Sequence, residues 1–129
     1  MKSYLKYNWP SILWAAFILV ICLMPGSNVP KIRIPHFDKV VHVSIYMILG
    51  FVTYYGWTRQ RQYILLHAKT VMKVILVLTT YGLLIEVLQG TLTADRSFDL
   101  WDALANSVGA VAGTYVGKLV FKEPYYKES

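Results

Sequence analysis

The sequence predicts an all-α membrane protein, a bundle of about four transmembrane helices with both termini in the cytoplasm. Three observations lead to this fold class. Of the 129 residues, 56% are hydrophobic and only 16% are charged, whereas a soluble domain usually carries about 25% charged residues. The charges are crowded into short stretches between long apolar segments, and Lys and Arg are divided unequally between alternate stretches. The length fits a single domain, residues 1–129.

The first apolar segment covers about residues 9–24 and ends at the turn signal in residues 25–28. It is short for a span, which needs about 20 residues. Tyr4, Tyr7 and Trp9 extend it as an aromatic belt at the membrane surface. A cleaved signal peptide is the alternative, but no small-residue cleavage site precedes the turn. We therefore expect a retained helix.

Three further apolar segments cover residues 38–57, 71–90 and 98–121. At about 1.5 Å of rise per residue, about 20 residues cross the hydrocarbon layer, so each segment predicts a span. The second segment closes with an aromatic belt, and the fourth opens with acidic residues. The basic stretch from Arg59 to Lys73 is typical of a cytoplasmic anchor against anionic lipid.

Positive charges indicate the orientation, because cytoplasmic connections carry an excess of Lys and Arg. With four spans, one side holds nine of them: Lys2, Lys6, Arg59, Arg61, Lys69, Lys73, Lys118, Lys122 and Lys127. The other side holds four: Lys31, Arg33, Lys39 and Arg96. Both termini are therefore expected in the cytoplasm. This distribution accounts for most of the net charge of +6, and without a basic soluble element no nucleic-acid partner is expected.

Polar residues interrupt the apolar pattern at three places, all on the predicted outer side. They are Asp38, Lys39 and His42 at the start of the second helix, Glu86 and Gln89 at the end of the third, Arg96 in the next connection, and Asp99, Asp102 and Asn106 at the start of the fourth. Spacings of three and four residues put members of one helix on one face. Ionisable residues in a membrane face the bundle interior or a water-filled cavity. We therefore expect one solvent-reachable polar pocket at this level.

The pattern Asp38-Lys39-x-x-His42, then Glu86-x-x-Gln89, then Arg96-x-x-Asp99-x-x-Asp102-x-x-x-Asn106-x-x-Gly109 resembles the VanZ-like family of bacterial membrane proteins. The resemblance covers about residues 10–120. It implies a multi-pass protein of the bacterial cytoplasmic membrane and a setting in glycopeptide resistance, where the family's namesake raises tolerance to teicoplanin. Teicoplanin acts outside the membrane and carries a lipid tail. The expected partners are therefore a membrane lipid headgroup, a lipid-linked cell-wall precursor or the lipoglycopeptide itself.

Three interpretations of the polar pocket stay open. In the first, it binds such a ligand: Arg96, His42 and Lys39 meet phosphate, and the carboxylates and amide of the fourth helix bind sugar or amine groups. In the second, it modifies an envelope lipid, with Glu86 or Asp99 as base or nucleophile and His42 as acid–base partner. No nucleophile elbow, paired-histidine motif or phosphate loop supports a specific reaction, so the balance falls against an enzyme.

In the third interpretation the polar groups only lock helix ends together, although such hydrogen bonds average about 0.6 kcal/mol in membranes. Asp99 would then be the N-cap of the fourth helix. No dedicated metal or cofactor motif is present and none is expected, although several carboxylates with a histidine would also suit a divalent cation.

The fourth helix also carries a stripe of small residues at four-residue spacing: Ala105, Gly109, Gly113 and Gly117. Such a stripe lets two helices approach closely. We expect it to pack inside the chain, and a dimer contact is the alternative.

Overall fold

The structure is a computed structural model that describes residues 2–60 and 68–121. Within these ranges it contains four α-helices and one short 3-10 helix, and no strand. The helices are α1 (Lys2–Leu23), α2 (Phe37–Gln60), α3 (Ala68–Leu92) and α4 (Leu100–Val120), with the 3-10 helix at Gly26–Asn28. The predicted all-helical bundle is therefore confirmed. Arg61, Lys122 and Lys127, which entered the charge count, lie outside the described residues.

Three of the helical segments are long and apolar enough to cross a membrane: Lys2–Leu23, Phe37–Gln60 and Thr70–Leu92. The fourth helix, α4, has 21 residues but falls outside this group. Its apolar pattern is interrupted by polar side chains that the fold buries, among them Asp102, Asn106 and Thr114. The bundle is membrane-like in length and composition. Four spans and cytoplasmic termini stay predictions.

The helix bounds differ from the prediction mainly at the start of α1. The helix begins at Lys2, and Pro10 lies inside it, whereas the apolar pattern suggested a start at Trp9. A proline removes one backbone hydrogen bond, which transmembrane helices tolerate because neighbouring groups satisfy the freed carbonyl. The other helices differ less. Helices α2 and α3 extend past their predicted apolar segments toward the connection between them, and α4 starts at Leu100, directly after its N-cap residue.

The central pair of the bundle is α2 and α4, which approach each other closely through glycines. A Cβ atom on Gly113 would overlap the backbone carbonyl of Met47, and one on Gly109 would overlap that of Val43. From the other side, a Cβ on Gly50 would lie 2.6 Å from the carbonyl oxygen of Ala110. We call Gly50, Gly109, Gly113 and Gly117 the glycine seam. Side chains of any larger size would push the two helices apart.

The small-residue stripe of α4 thus packs inside the chain. All four of its residues are buried, and a Cβ on Gly117 would lie 2.9 Å from the ring of Tyr54 on α2. The structure therefore uses this stripe for the α2–α4 contact, as van der Waals packing drives helix association in lipid.

The first helix is joined to α2 and α3 by side-chain hydrogen bonds to backbone carbonyls. Trp14 Nε1 donates to the carbonyl of Ile45 at 2.8 Å, and the Tyr81 hydroxyl donates to that of Ala15 at 2.5 Å. Between these contacts lies an apolar core that includes the fully buried Ile18. At one end of the bundle α1 and α3 finish while α2 and α4 begin, and we call this the polar end.

Candidate functional site

The polar groups of α2, α3 and α4 meet at the polar end in two adjoining clusters. We call Lys39, Asp38, Asp99 and Asp102 the lysine cluster. We call His42, Glu86, Asn106 and Asp102 the histidine cluster. Asp102 belongs to both, since one of its oxygens faces Lys39 and the other faces His42. Seven of the nine predicted ligand residues are therefore gathered in these clusters.

The lysine cluster is built around one ammonium group. Lys39 Nζ lies 2.8 Å from Asp38 Oδ2, 2.7 Å from Asp99 Oδ2 and 2.7 Å from Asp102 Oδ1. A lysine ammonium has three donors, and here each has a carboxylate acceptor. Lys39 thus joins the start of α2 to the start of α4. Its charge is committed to these carboxylates, which leaves it poorly placed for the phosphate contact considered for it.

Asp99 has a structural task in addition to its ion pair. Its Oδ1 accepts a hydrogen bond from the backbone N–H of Trp101 at 2.8 Å, so it is the N-cap of α4. The Lys39 ammonium and this N–H hold the pKa of Asp99 below its usual value. Asp102, in the first turn, is favoured by the helix dipole. The N-cap role that the third interpretation gave to Asp99 is therefore present in the structure.

The histidine cluster is almost fully enclosed, with His42 5% exposed and Glu86 0% exposed. His42 Nδ1 lies 2.8 Å from Asn106 Oδ1, and Asn106 Nδ2 donates to Glu86 Oε1 at 3.5 Å. Because the amide presents its oxygen to the ring, Nδ1 is the nitrogen that carries the proton in the neutral form of His42. The other ring nitrogen, Nε2, then faces Asp102 Oδ2 at 3.7 Å, which is too long for a hydrogen bond.

Two polar atoms near this cluster are buried without a partner among the described residues. One is Glu86 Oε2 and the other is the hydroxyl of Tyr46, which lies one turn along α2 from His42. A Cβ atom on Gly82 of α3 would lie 3.2 Å from the Tyr46 ring and 3.0 Å from the Asn106 side chain, so the tyrosine borders the cluster. An unsatisfied buried polar group costs about 1–3 kcal/mol, more when charged. Such atoms in a native fold call for an explanation beyond packing.

Gln89 and Arg96 lie apart from the two clusters. Gln89 Nε2 donates to the backbone carbonyl of Cys22 at 2.9 Å, and an Arg96 guanidinium nitrogen donates to the same oxygen at 3.3 Å. This carbonyl is in the last turn of α1, where helical carbonyls have no intrahelical donor. Both side chains thus fasten the end of α1 to the polar end. The spacing of residues in α3 and its following loop could not have revealed a backbone acceptor on α1.

The connections at this end are also tied together. Asp95 Oδ2 accepts from the backbone N–H of Ser27 at 3.1 Å. Hydrogen bonds from the N–H groups of Gly26 and Ser27 hold the pKa of Asp95 below its usual value. The turn after α1 is therefore held against the loop before α4.

A cavity of about 310 Å³ opens beside the lysine cluster and is lined by His36, Lys39 and Trp101. Trp101 is 69% exposed, and His36 has a left-handed φ of 59°, which is unusual for a residue other than glycine. Neither His36 nor Trp101 belongs to the predicted set. Trp101 could have been predicted from the sequence, because it lies between two residues of the predicted set, Asp99 and Asp102.

The charges of the two clusters set the chemistry of any ligand. They hold four carboxyl groups and one permanent cation, Lys39, so their net charge is −3 when all four carboxyl groups are ionised and His42 is neutral. An excess of acceptor oxygens favours ligand groups that donate hydrogen bonds or carry positive charge, and it disfavours phosphate.

Comparison with known proteins adds family information. A family model described as VanZ/LLP1 matches residues 2–121, a range that includes all four helices and both clusters. No curated protein and no solved structure matches the chain.

Proposed function

The chain belongs to the VanZ/LLP1 family, as its motifs predicted, and from this premise we propose that its polar end binds the head of an amphipathic envelope molecule. The proposed head carries hydroxyl or amine groups, which a lipid headgroup, a lipid-linked cell-wall precursor and a lipoglycopeptide such as teicoplanin share. In this proposal the polar end faces outward from the bacterial cytoplasmic membrane and both termini are cytoplasmic. Binding there would lower sensitivity to teicoplanin.

The observation that carries the proposal is the cavity beside the lysine cluster. Its volume of about 310 Å³ is at the lower end of the range for small-molecule sites, about 300–1,000 Å³. That size suits a headgroup and not a whole antibiotic or lipid. Trp101 supplies an exposed aromatic wall, and tryptophan is typical of the membrane–water interface, where one side of a ligand is apolar and the other is wet.

The charge around the cavity supports a donor-rich head. Asp38 and Asp99 have side chains that are 58% and 37% exposed, so a ligand can reach their oxygens. Each carboxylate accepts from Lys39 through one oxygen and has further lone pairs. Sugar hydroxyls or an amine would donate to them, whereas a phosphate would meet several negative charges.

Catalysis on an envelope lipid is the second candidate, and the geometry that favours it is the position of His42 between Glu86 and Asp102. A histidine flanked by carboxylates is suited to general acid–base work. Burial weighs against it, because a substrate atom would have to reach groups that are 5% and 0% exposed. Asp99, considered as a nucleophile, is occupied as a helix cap and ion-pair partner.

Native mass spectrometry of the detergent-purified chain tests the proposal. The protein is incubated with bacterial envelope lipid extract in one arm and with teicoplanin in another. We expect wild type to retain a molecule that Trp101→Ala loses. Trp9→Ala is the matched control, since Trp9 is similarly exposed, at 60%, but belongs to the opposite end of α1.

The outcomes separate the candidates. Retention by wild type and Trp9→Ala but not by Trp101→Ala supports a binding site at the cavity. The mass of the retained molecule identifies which of the proposed ligands is bound. A retained molecule that changes mass with time supports the enzyme. Equal loss in both tryptophan variants, or no retention by wild type, contradicts the proposal.

Cysteine accessibility tests the orientation. In a Cys22→Ala background, Ala94→Cys marks the loop at the polar end and Ser3→Cys marks the start of α1, both being exposed positions. A membrane-impermeant maleimide added to intact cells should label only Ala94→Cys. Labelling of Ser3→Cys alone would place the polar end in the cytoplasm and remove the outward-facing site.

A further inference from the structure

His42, Glu86 and Asp102 bring imidazole nitrogens and carboxylate oxygens close together: Nδ1 lies 3.7 Å from Glu86 Oε1, and Nε2 lies 3.7 Å from Asp102 Oδ2. One candidate ligand atom from each lies within 4.8 Å of the other two. Two ligands of a tetrahedral Zn²⁺ ion with bonds of about 2.1 Å are about 3.4 Å apart. His42 Nε2 and Asp102 Oδ2 are 3.7 Å apart, so they would need to move by only a few tenths of an ångström. The three side chains come from α2, α3 and α4, which fixes the site in the bundle.

The hydrogen bond on the other side of the imidazole is the one expected of a metal ligand. Metal-bound histidines almost always donate their second ring N–H to a carboxylate, carbonyl or water, which fixes the tautomer and the ring orientation. Here Nδ1 meets Asn106 Oδ1 at 2.8 Å, and this leaves the lone pair of Nε2 facing a carboxylate oxygen. Two acceptors that face each other across such a gap are stabilised by a cation between them.

Glu86 provides an independent indication of a ligand. It is 0% exposed, and its Oε2 has no hydrogen-bond partner in the described part of the chain. A buried carboxylate within a membrane helix is costly unless it is paired. The contacts of Oε1 with Asn106 at 3.5 Å and with His42 Nδ1 at 3.7 Å are long, and the carboxyl group also lies near the backbone N–H of Asp99.

Charge balance favours a divalent ion over a protonated histidine. An imidazolium at His42 would offset only one of the two negative charges of Glu86 and Asp102. A divalent ion offsets both, so that the ion and its two carboxylate ligands together are neutral. A neutral site is the arrangement that a low-dielectric interior stabilises best.

The second group of acids at this end is already filled. Asp38, Asp99 and Asp102 also lie close enough to hold a cation, but the Lys39 ammonium occupies the space between them at 2.7–2.8 Å. In the histidine cluster, Lys39 pairs with the outer oxygen of Asp102, and among the described residues no lysine or arginine pairs with Glu86 or with the Asp102 oxygen that faces His42. Its imidazole also selects the metal class, because nitrogen ligands suit Zn²⁺ and its neighbours in the first transition row better than Mg²⁺ or Ca²⁺.

We infer that His42, Glu86 and Asp102 bind one divalent transition-metal ion of the Zn²⁺ type, with Asn106 positioning the imidazole. The site is separate from the cavity of the proposed function and does not depend on it. Three protein ligands would leave one coordination position open, as in zinc sites that bind water or substrate.

Metal titration of the full chain tests the inference. The protein is purified in detergent with a histidine-free tag, stripped with EDTA, and titrated with Zn²⁺ by calorimetry and with Co²⁺ by visible absorption. Wild type should bind one ion per chain, give a ligand-field band with Co²⁺, and unfold at a higher temperature when Zn²⁺ is present.

Matched variants locate the ion. Glu86→Gln should weaken Zn²⁺ binding by at least about 100-fold, because loss of outer-shell partners alone costs 10–100-fold. His42→Gln is the second variant, and it decides the question if Glu86→Gln does not fold. Asp38→Asn removes a carboxylate from the same end outside the three ligands, and it should change affinity by less than about threefold because exposed charges are screened.

Either of two results overturns the inference: wild type takes up no Zn²⁺, or Asp38→Asn weakens binding as much as the ligand variants do. Loss of Zn²⁺ binding with retention of the envelope molecule would remove only the metal site. Zn²⁺ binding without such retention would remove only the proposed function.

Discussion

The same two helices, α2 and α4, are joined by opposite means at two levels of the bundle. Along the glycine seam, backbone lies against backbone, and no side chain separates Gly113 from Met47 or Gly109 from Val43. At the polar end, the helices are bridged by charge, through Lys39 to Asp99 and Asp102 and through His42 to Asn106. The seam is filled by the chain itself, whereas the polar end carries excess negative charge and a Glu86 oxygen that has no hydrogen-bond partner within residues 2–60 and 68–121.

This difference indicates that the glycine seam is a structural scaffold and that the polar end is a functional site. Packing of the seam kind is sufficient to hold membrane helices together, so α2 and α4 have no need of four carboxylates at one end. Functional sites commonly carry groups that weaken the fold. We therefore assign stability mainly to the glycine seam and function to the polar end, and the following changes test that division.

The largest effect is expected from Gly113→Leu in the seam. The new side chain would overlap the backbone of α2 at Met47, and overpacking of this kind costs about 3 kcal/mol, because backbone cannot move aside cheaply. Ala16→Leu, at an exposed position of α1, is the control and should be nearly neutral. Unfolding in detergent measures both. A folded Gly113→Leu chain of wild-type stability would show that the seam is not the scaffold.

A smaller loss is expected from Lys39→Met, which leaves three carboxylates facing one another. Breaking a fully buried pair costs about 3–5 kcal/mol, but the side chain of Asp99 is 37% exposed and water will screen part of the repulsion. We expect a loss of about 2 kcal/mol. Lys118→Met removes an exposed lysine of α4 as the control, and an equal loss there would remove the special role of the Lys39 bridge.

The smallest effect concerns the dependence of stability on pH at Asp99. Its pKa is lowered in the folded chain by the Lys39 ammonium first and by the Trp101 N–H second. A carboxyl with a lowered folded pKa stabilises the fold above its unfolded pKa, about 3.9, and this contribution is lost as pH falls through the folded value. The stability difference between wild type and Asp99→Asn should thus shrink below about pH 4.

Lys39→Met provides the control for this pH dependence. With the ammonium removed, the stability contribution of Asp99 should disappear at a higher pH than in the wild-type background. Unfolding curves measured across the acid range give both comparisons. An unchanged midpoint would show that Lys39 is not the main cause of the lowered pKa.

The sequence predicted the gathering of polar groups because helix length and connection order decide which helix ends share a level. His42, Glu86 and Asn106 needed only helical spacing to be placed together. The partners of Gln89 and Arg96 were out of reach, because a carbonyl at Cys22 has no signature in a pattern of side chains. His36 was missed for a similar reason, since its place at the cavity depends on a left-handed backbone.

The start of α1 at Lys2 shows a different limit of prediction from the sequence. Pro10 and the charges before it mark a helix boundary by the rules for soluble proteins, yet the helix continues through them. Asn8, inside this extension, is buried and donates to Gln60 on α2 at 3.0 Å. A long-range contact of that kind, 52 residues apart, overrides the local preference and is invisible to a local pattern.

The most direct test of the division between scaffold and site is the unfolding free energy of Glu86→Gln in the presence of EDTA, where no bound metal contributes. Glutamine keeps an oxygen to accept from Asn106 and removes one ionisable group from clusters that hold four carboxyl groups and one lysine. If the carboxylate serves a ligand, the variant should be as stable as wild type, within about 0.5 kcal/mol, or more stable. A loss of about 3 kcal/mol, as expected when one partner of a buried ion pair is removed, would show that Glu86 locks the helices and that the polar end is part of the scaffold.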